Sequence, residues 1–190
     1  MSERPQSAPQ TADISRYQAL LEISDFVAAR ESISGLMHEV AERLHRVVDF
    51  DVVSFVLHDA ERGVMQPHVV EVSEGVRGVE APQDVPVDEA PSGWAMQRQE
   101  PLILDDIASE RRFRTVLDVF RKAGLRAVCA MPMTSSQRQL GGITFASRRA
   151  GAYSVADVDF LRRVAQQVAI AMDAALDREA ALRVIYAVSG

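Results

Sequence analysis

Two strand–turn–strand patterns limit the fold of this chain more than any other feature. Asp51–Asp59 (DVVSFVLHD) is rich in Val and Phe, and the short turn Glu61-Arg62-Gly63 leads from it to Val64–Val72. Arg126–Thr134 and Gln139–Ser147 form a second pair, joined by the polar Ser135-Ser136-Gln137-Arg138. Strands joined by so few residues must pair antiparallel. A sheet built from them is apolar, so other elements must cover it.

Helical patterns on either side supply that cover. The first is expected over Asp13–Arg30, with Asp13 as N-cap. Tyr17, Leu20, Leu21, Val27 and Ala28 lie on one side of it, with Ala19, Ile23 and Phe26 well round from them. A helix apolar on that much of its circumference is buried on two sides. The second runs from near Ser32 to near Val48, with one stripe of Ile33, Leu36, Met37, Val40, Leu44, Val47 and Val48. The last is capped by Ser154 and reaches about Val188; its core stripe closes at Leu176, and only Leu182 and Tyr186 continue it as a thin seam.

The segment between the hairpins is irregular. Gly75, Gly78, Pro82, Pro86 and Pro91 mark residues 73–91 as a loop. A short helix begins at Ser92, Pro101–Leu104 is a brief strand, and a helix over Phe113–Ala123 stops at Gly124. The expected fold is α+β: an antiparallel sheet, with the first, second and C-terminal helices on one face and a lid of loop and short helices on the other. Residues 1–12 read as a disordered tail, 13–176 as the domain and 177–190 as the start of a helical linker. A small-molecule pocket would form between sheet and lid.

Composition removes several functions. The longest apolar runs, Ala127–Met131 and Val168–Met172, are far shorter than a membrane span. The N-terminus has no apolar signal core, and Cys129 is the only cysteine, so no internal disulfide forms. The expected location is cytoplasmic. A net charge of −6 disfavours direct contact with nucleic acid.

Chemical motifs are few. There is no phosphate loop and no dinucleotide fingerprint. His38, Glu42 and His45 share a helix face and have metal-ligand character, but that face lies opposite the apolar stripe and should be solvated. His58 faces Met65 across the first hairpin and His68 faces Phe55, so the two histidines form no pair. Cys129 is expected to be a buried, inert thiol. Asp105-Asp106 suit either a ligand or a turn and cap.

The lid from about Ser92 to Arg121 carries the candidate site. Trp94, Phe113 and Phe120 are its flat apolar walls, although core filling is an equal role for Trp94 and Phe113. Asp105, Asp106, Arg114 and Arg121 are its candidate polar anchors. A small organic acid would suit Arg114 or Arg121, because a guanidinium grips a carboxylate with two prongs. Which strand parity faces the lid is left open at this level.

An ordered set of segments carries a family resemblance. Leu125–Met133 (LRAVCAMPM) leads to Gln139–Ser147 (QLGGITFAS), then Tyr153–Leu161 (YSVADVDFL) and Val164–Ala171 (VAQQVAIA). Gly93-Trp94 and Gln99–Leu104 (QEPLIL) precede them. Over Leu20–Leu176 the chain resembles a GAF domain, a GAF/PAS-like fold, and most of all the sensory domains of formate hydrogenlyase activator-type sigma-54-dependent regulators. The resemblance implies a small-molecule-sensing regulatory module, not an enzyme, with effector domains downstream in the same polypeptide. It also implies a homodimer through the Phe26 side of the first helix and the C-terminal helix. The alternatives are a ligand-free dimerisation and relay element, or the sensor of a histidine kinase or cyclic-nucleotide enzyme.

Departures from the family narrow the chemistry. The cyclic-nucleotide pattern is missing, and Cys129 falls in a strand instead of the lid, where bilin-binding members carry their cysteine. Against iron-binding relatives Cys129 is one residue out of place, and Ala146 stands where an acid would be. A GAF-fold methionine sulfoxide reductase needs several cysteines. No cofactor is therefore expected, and the ligand is an unidentified small molecule.

Overall fold

The structure, a computed structural model, describes residues 8–27 and 33–188. Helix α1 (Ala8–Val27) and α2 (Ile33–Leu44) precede strands β1 (Val52–Asp59) and β2 (Val64–Val72). A two-residue strand β3 (Val85–Pro86) and a 3-10 turn (Val87–Glu89) lead into α3 (Pro91–Arg98) and β4 (Leu102–Leu104). Then come α4 (Arg114–Lys122), β5 (Ala127–Thr134), β6 (Gln139–Ser147) and α5 (Val155–Val188). The strands form one sheet in the order β3-β2-β1-β6-β5-β4, and each adjacent pair is antiparallel. Among the described residues no helix is long and apolar enough to cross a membrane.

The expected α+β architecture is the observed one, with small shifts at the ends of elements. Helix α1 starts at Ala8, inside the stretch read as a disordered tail; residues 1–7 lie outside the described residues. Residues 73–91 are less irregular than expected, because β3 pairs with the edge of β2 through Val64–Pro86 and Met65–Val85. A two-residue strand carries no periodicity for sequence reading to detect. Helix α4 ends as Gly124 requires: Gly124 takes φ +78°, its N–H donates to the Arg121 carbonyl, and Leu125 N–H donates to the Phe120 carbonyl. That double bond around a left-handed glycine is a Schellman stop. Ser154 caps α5: its hydroxyl accepts from Asp157 N–H, and its own N–H and hydroxyl donate to the Asp157 carboxylate.

Strand parity, open in the sequence, is decided here. Odd positions of β1, β5 and β6 face the helices: Val53 and Phe55, Cys129, Met131 and Met133, and Ile143 and Phe145 pack with α1, α2 and α5 in one buried cluster. Burying Phe55 and Phe145 fully contributes roughly 2–3 kcal/mol each. Even positions face the lid, where Val52, Val128, Ala130 and Ala146 meet Phe113, Leu117 and Phe120. In β2 the parity changes part-way. Phe55 pairs with Val69 and Val56 with Pro67, so His68 is bulged out. The expected His68–Phe55 pairing is therefore incorrect, while His58–Met65 is as expected. Pro67 has no N–H to give the ladder, which is why the pairing breaks there. Beyond the bulge Met65 and Pro67 turn to the lid side.

On α1, Ala19 and Ile23 are buried against the core, while Ile14, Tyr17 and Leu21 are exposed, Tyr17 by 64%. The sequence expectation of burial on both sides thus splits into a core side and an open side. The dimer contacts expected at Phe26 and Leu182 lie outside the described side chains. Along α5 burial fades at Leu176, and Asp177 and Arg178 are exposed.

Candidate functional site

The lid face of the sheet is small-featured by sequence, and this makes room. Val52, Ser54 and Val56 of β1 and Thr144 of β6 form a floor. Glycines let α3 lie close above it. A Cβ on Gly142 would stand 2.8 Å from the Met131 carbonyl oxygen and 2.9 Å from Ser92 Cβ; one on Gly93 would stand 2.0 Å from the Val87 carbonyl oxygen. The sequence Gly141-Gly142 is thus a close backbone approach. Walls come from Ala90, Pro91 and Ser92 at the start of α3 and from Val116 and Phe120 of α4. The strap with Val79, Ala81, Pro82 and Val85 closes the remaining side, with Met65 and Pro67 below it.

The cavity is partly open to solvent and offers about 40 Å³ to the centres of water-sized molecules. Its lining is apolar except for the hydroxyls of Ser54, Ser92 and Thr144, and no charged side chain reaches it. These residues are at most 6% exposed. None of the three is among the buried side-chain oxygens left without a partner, which in the described residues are Thr134 Oγ1 and Tyr153 OH, outside this lining. Three hydroxyls around one apolar space give a ligand or water there donors and acceptors to meet. A broader groove lies along the exposed Gln99, Glu100, Arg162 and Gln166, with the half-buried Pro101, Pro132 and Thr134 beneath them; the Thr134 hydroxyl is buried and has no partner among the described residues.

The strap is latched from outside. Arg62, in the β1–β2 turn, grips Asp84 with both guanidinium nitrogens, and Gln66 donates to the same carboxylate at 2.6 Å. Asp84 takes φ +54°, an uncommon conformation for a side-chain-bearing residue.

Of the lid residues singled out from sequence, Phe120 lines the cavity. Trp94 and Phe113 pack in the apolar cluster beside it. Phe113 does so with φ +56°, at the N-cap of α4. Asp105 and Asp106 are exposed. Asp106 accepts the Ala108 N–H and pairs with the Arg126 guanidinium, which draws its pKa down to about 2. That is the turn-and-cap role. Arg121 donates to the Ile107 and Glu110 carbonyl oxygens and pairs with Asp118 at 2.6 Å. Its donors hold the loop before α4. Arg114 is exposed at the start of α4 and is not part of the cavity lining. The structure therefore does not bring the expected acids and arginines to the cavity. The residues that sequence reading missed are Ser54, Ser92 and Thr144. For Ser54 and Thr144 a signal was present, since both are polar residues on strands whose opposite parity is apolar.

The family model described as GAF domain matches residues 30–173. The chain belongs to the GAF family. It is 26% identical over 169 residues to the formate hydrogenlyase transcriptional activator FhlA of Escherichia coli, covering 84% of this chain and 23% of that protein. A Salmonella typhimurium formate hydrogenlyase transcriptional activator gives the same identity and coverage. The chain spans about a quarter of the length of these curated relatives. Among solved structures, the GAF domain of a Coxiella burnetii phosphoenolpyruvate-protein phosphotransferase superposes with a TM-score of 0.73 at 16% identity, covering 88% of this chain and 98% of that one. A free methionine-R-sulfoxide reductase from Neisseria meningitidis also gives 0.73, at 17% identity, with 94% and 99% covered. At these identities the likeness shows the fold.

Within this GAF domain Cys129 lies on the helix side of the sheet, away from the cavity, and burial pushes its thiol up to about 12. His38 sits 2.7 Å from the Glu71 carboxylate, and His45 stacks on Phe50 with ring centroids 3.9 Å apart. His38, Glu42 and His45 are all exposed, as the helical phase required.

Proposed function

We propose that this GAF domain is the signal-input module of a larger bacterial transcriptional activator of the sigma-54-dependent type, with its signal entering as a small molecule in the lid-face cavity. The observation that carries the reading is the apolar cavity between sheet and lid, with the buried residues Ser54, Ser92 and Thr144 supplying the polar part of its lining. Similarity to activators of which the chain covers about a quarter supports placing it beside effector domains. Ion pairs between the β5–β6 turn and α5 support a route from the cavity to that helix. Thr144 belongs to β6, and Arg138, in the β5–β6 turn, pairs with Asp173 and Asp177 of α5. The exposed Ile14, Tyr17 and Leu21 of α1 are the surface we assign to the homodimer.

We read the module as non-enzymatic. The reductase-like structures share its fold, but one cysteine, buried and hard to ionise, cannot form and resolve an internal disulfide. A net charge of −6 leaves DNA contact to other parts of the polypeptide, and the reading places the protein in the cytoplasm. The small volume of the cavity favours one second reading, a ligand-free relay.

The test is mass spectrometry of small molecules released on denaturing protein purified from its native cells. Wild type should release one in stoichiometric amount. Val116→Phe, which fills the cavity from α4, should release none while keeping its circular dichroism spectrum. Empty wild-type protein would leave the relay reading in place, and an equal load in both proteins would move the site elsewhere.

A further inference from the structure

The lining of the cavity specifies a class of ligand, and this inference rests on the sensory reading above. The sequence suggests an organic acid held by Arg114 or Arg121, but neither guanidinium is part of the lining. Arg121 already donates to two loop carbonyl oxygens and to Asp118, and Arg62, which latches the strap, is bound to Asp84. A carboxylate or ammonium taken from water into this space would lose its hydration without gaining a counter-ion, a cost no apolar contact offsets. The start of α3 beside Ser92 offers only the partial charge of a helix N-terminus, about half an elementary charge. That favours a carbonyl or hydroxyl oxygen and falls short of holding a full anion.

Size narrows the class further. The 40 Å³ open to water-sized centres is room for roughly three waters at about 10–15 Å³ each. Ser54, Ser92 and Thr144 can each donate one hydrogen bond and accept others, so the site reads polar groups without regard to sign. Val52, Val56, Val116 and Phe120 provide apolar contact around them.

We propose that the ligand is a small uncharged molecule of a few non-hydrogen atoms, with an apolar body and one or two hydrogen-bonding groups, such as a short alcohol, aldehyde or ketone.

The test is methyl-resolved NMR of the whole chain titrated with three probes of one skeleton: 1-propanol, propionate and propylammonium. 1-Propanol should give saturable shifts at the Val52, Val56 and Val116 methyls, and the two ions should give none at the same concentrations. Thr144→Val keeps the shape and removes one hydroxyl, and should weaken 1-propanol about fivefold, the worth of one hydrogen bond. Ser54→Ala gives the same readout if the Thr144 variant does not fold. An ion that shifts these methyls as tightly as 1-propanol overturns the uncharged class and leaves the sensory reading standing. Failure of all three probes overturns the proposal, and a native protein that also releases no small molecule brings down the sensory reading with it.

Discussion

Replacing Gly93 by Ala sets two opposing effects against each other, and the structure says which wins. Gly93 lies inside α3 with an ordinary helical φ, so backbone propensity alone would make Ala more stable by about 1 kcal/mol. The new Cβ, however, would stand 2.0 Å from the Val87 carbonyl oxygen and 2.8 Å from its carbon. Ordinary contact would need more than about 1 Å of added separation. The obstacle is backbone, so no rotamer change relieves it. The 3-10 turn carrying Val87 cannot simply withdraw, because Ala90 N–H bonds to the Val87 carbonyl and Glu89 accepts the Thr115 hydroxyl at 2.6 Å. Helix α3 cannot simply rise, because Ser92 is seated against Gly142 on the sheet.

Overpacking costs about 1–3 kcal/mol, and a backbone obstacle puts this case at the upper end, so the net destabilisation should be about 2 kcal/mol after a propensity gain of about 1 kcal/mol. For a domain of this size that lowers Tm by roughly 4–8 °C. Urea unfolding at equilibrium, with thermal melts alongside, measures it. Gly63→Ala is the control: Gly63 has φ +65° and nothing within 4 Å of an added Cβ, so it should lose only the left-handed backbone cost of about 1 kcal/mol. A Gly93→Ala protein as stable as wild type would show that the strap yields freely and that α3 is not clamped.

Acid should weaken the loop before α4. Arg112 beside Glu110 draws that carboxyl from its ordinary 4.5 to about 2, so its stabilisation is present above 4.5 and is lost as pH falls towards 2. Glu110→Gln should therefore lose less stability than wild type between pH 7 and pH 2.5 in urea titrations, and equal losses would refute the assignment. Cys129 should resist a thiol reagent such as DTNB in the native state and react fully in denaturant; fast native labelling would contradict its burial. Leu21→Glu, on the open side of α1, should lower dimer content in light scattering with little change in Tm, whereas a dimer indifferent to it would place the contact elsewhere. Arg138→Gln, which frees Asp173 and Asp177, should reduce ligand-induced shifts along α5 while leaving cavity binding unchanged, and undiminished shifts would remove Arg138 from the route.

Much of the architecture was legible because it follows from local chemistry. Two short turns between β-branched runs imposed the hairpins, Ser154 with Asp157 set the start of α5, and Gly124 set the end of α4. Strand parity also has a trace in the sequence: Val53, Phe55, Ile143 and Phe145 share one parity, with Ser54 and Thr144 on the other. The bulge at His68 was not legible, because it depends on how β2 meets β1 across a proline, and it turns Met65 and Pro67 towards the lid.

The site itself belongs to tertiary structure. Ser54, Ser92 and Thr144 come from β1, α3 and β6, far apart in sequence, and each alone is an ordinary hydroxyl. Arg121 and Asp106 advertise charge to a sequence reader, but packing gives them nearby partners first: a loop carbonyl or a facing guanidinium is always within reach, whereas a ligand must come from solution. Residue type announces what a side chain could bind. Only the fold decides which groups are already satisfied and which come to line a common cavity, because both depend on neighbours that the chain order does not specify.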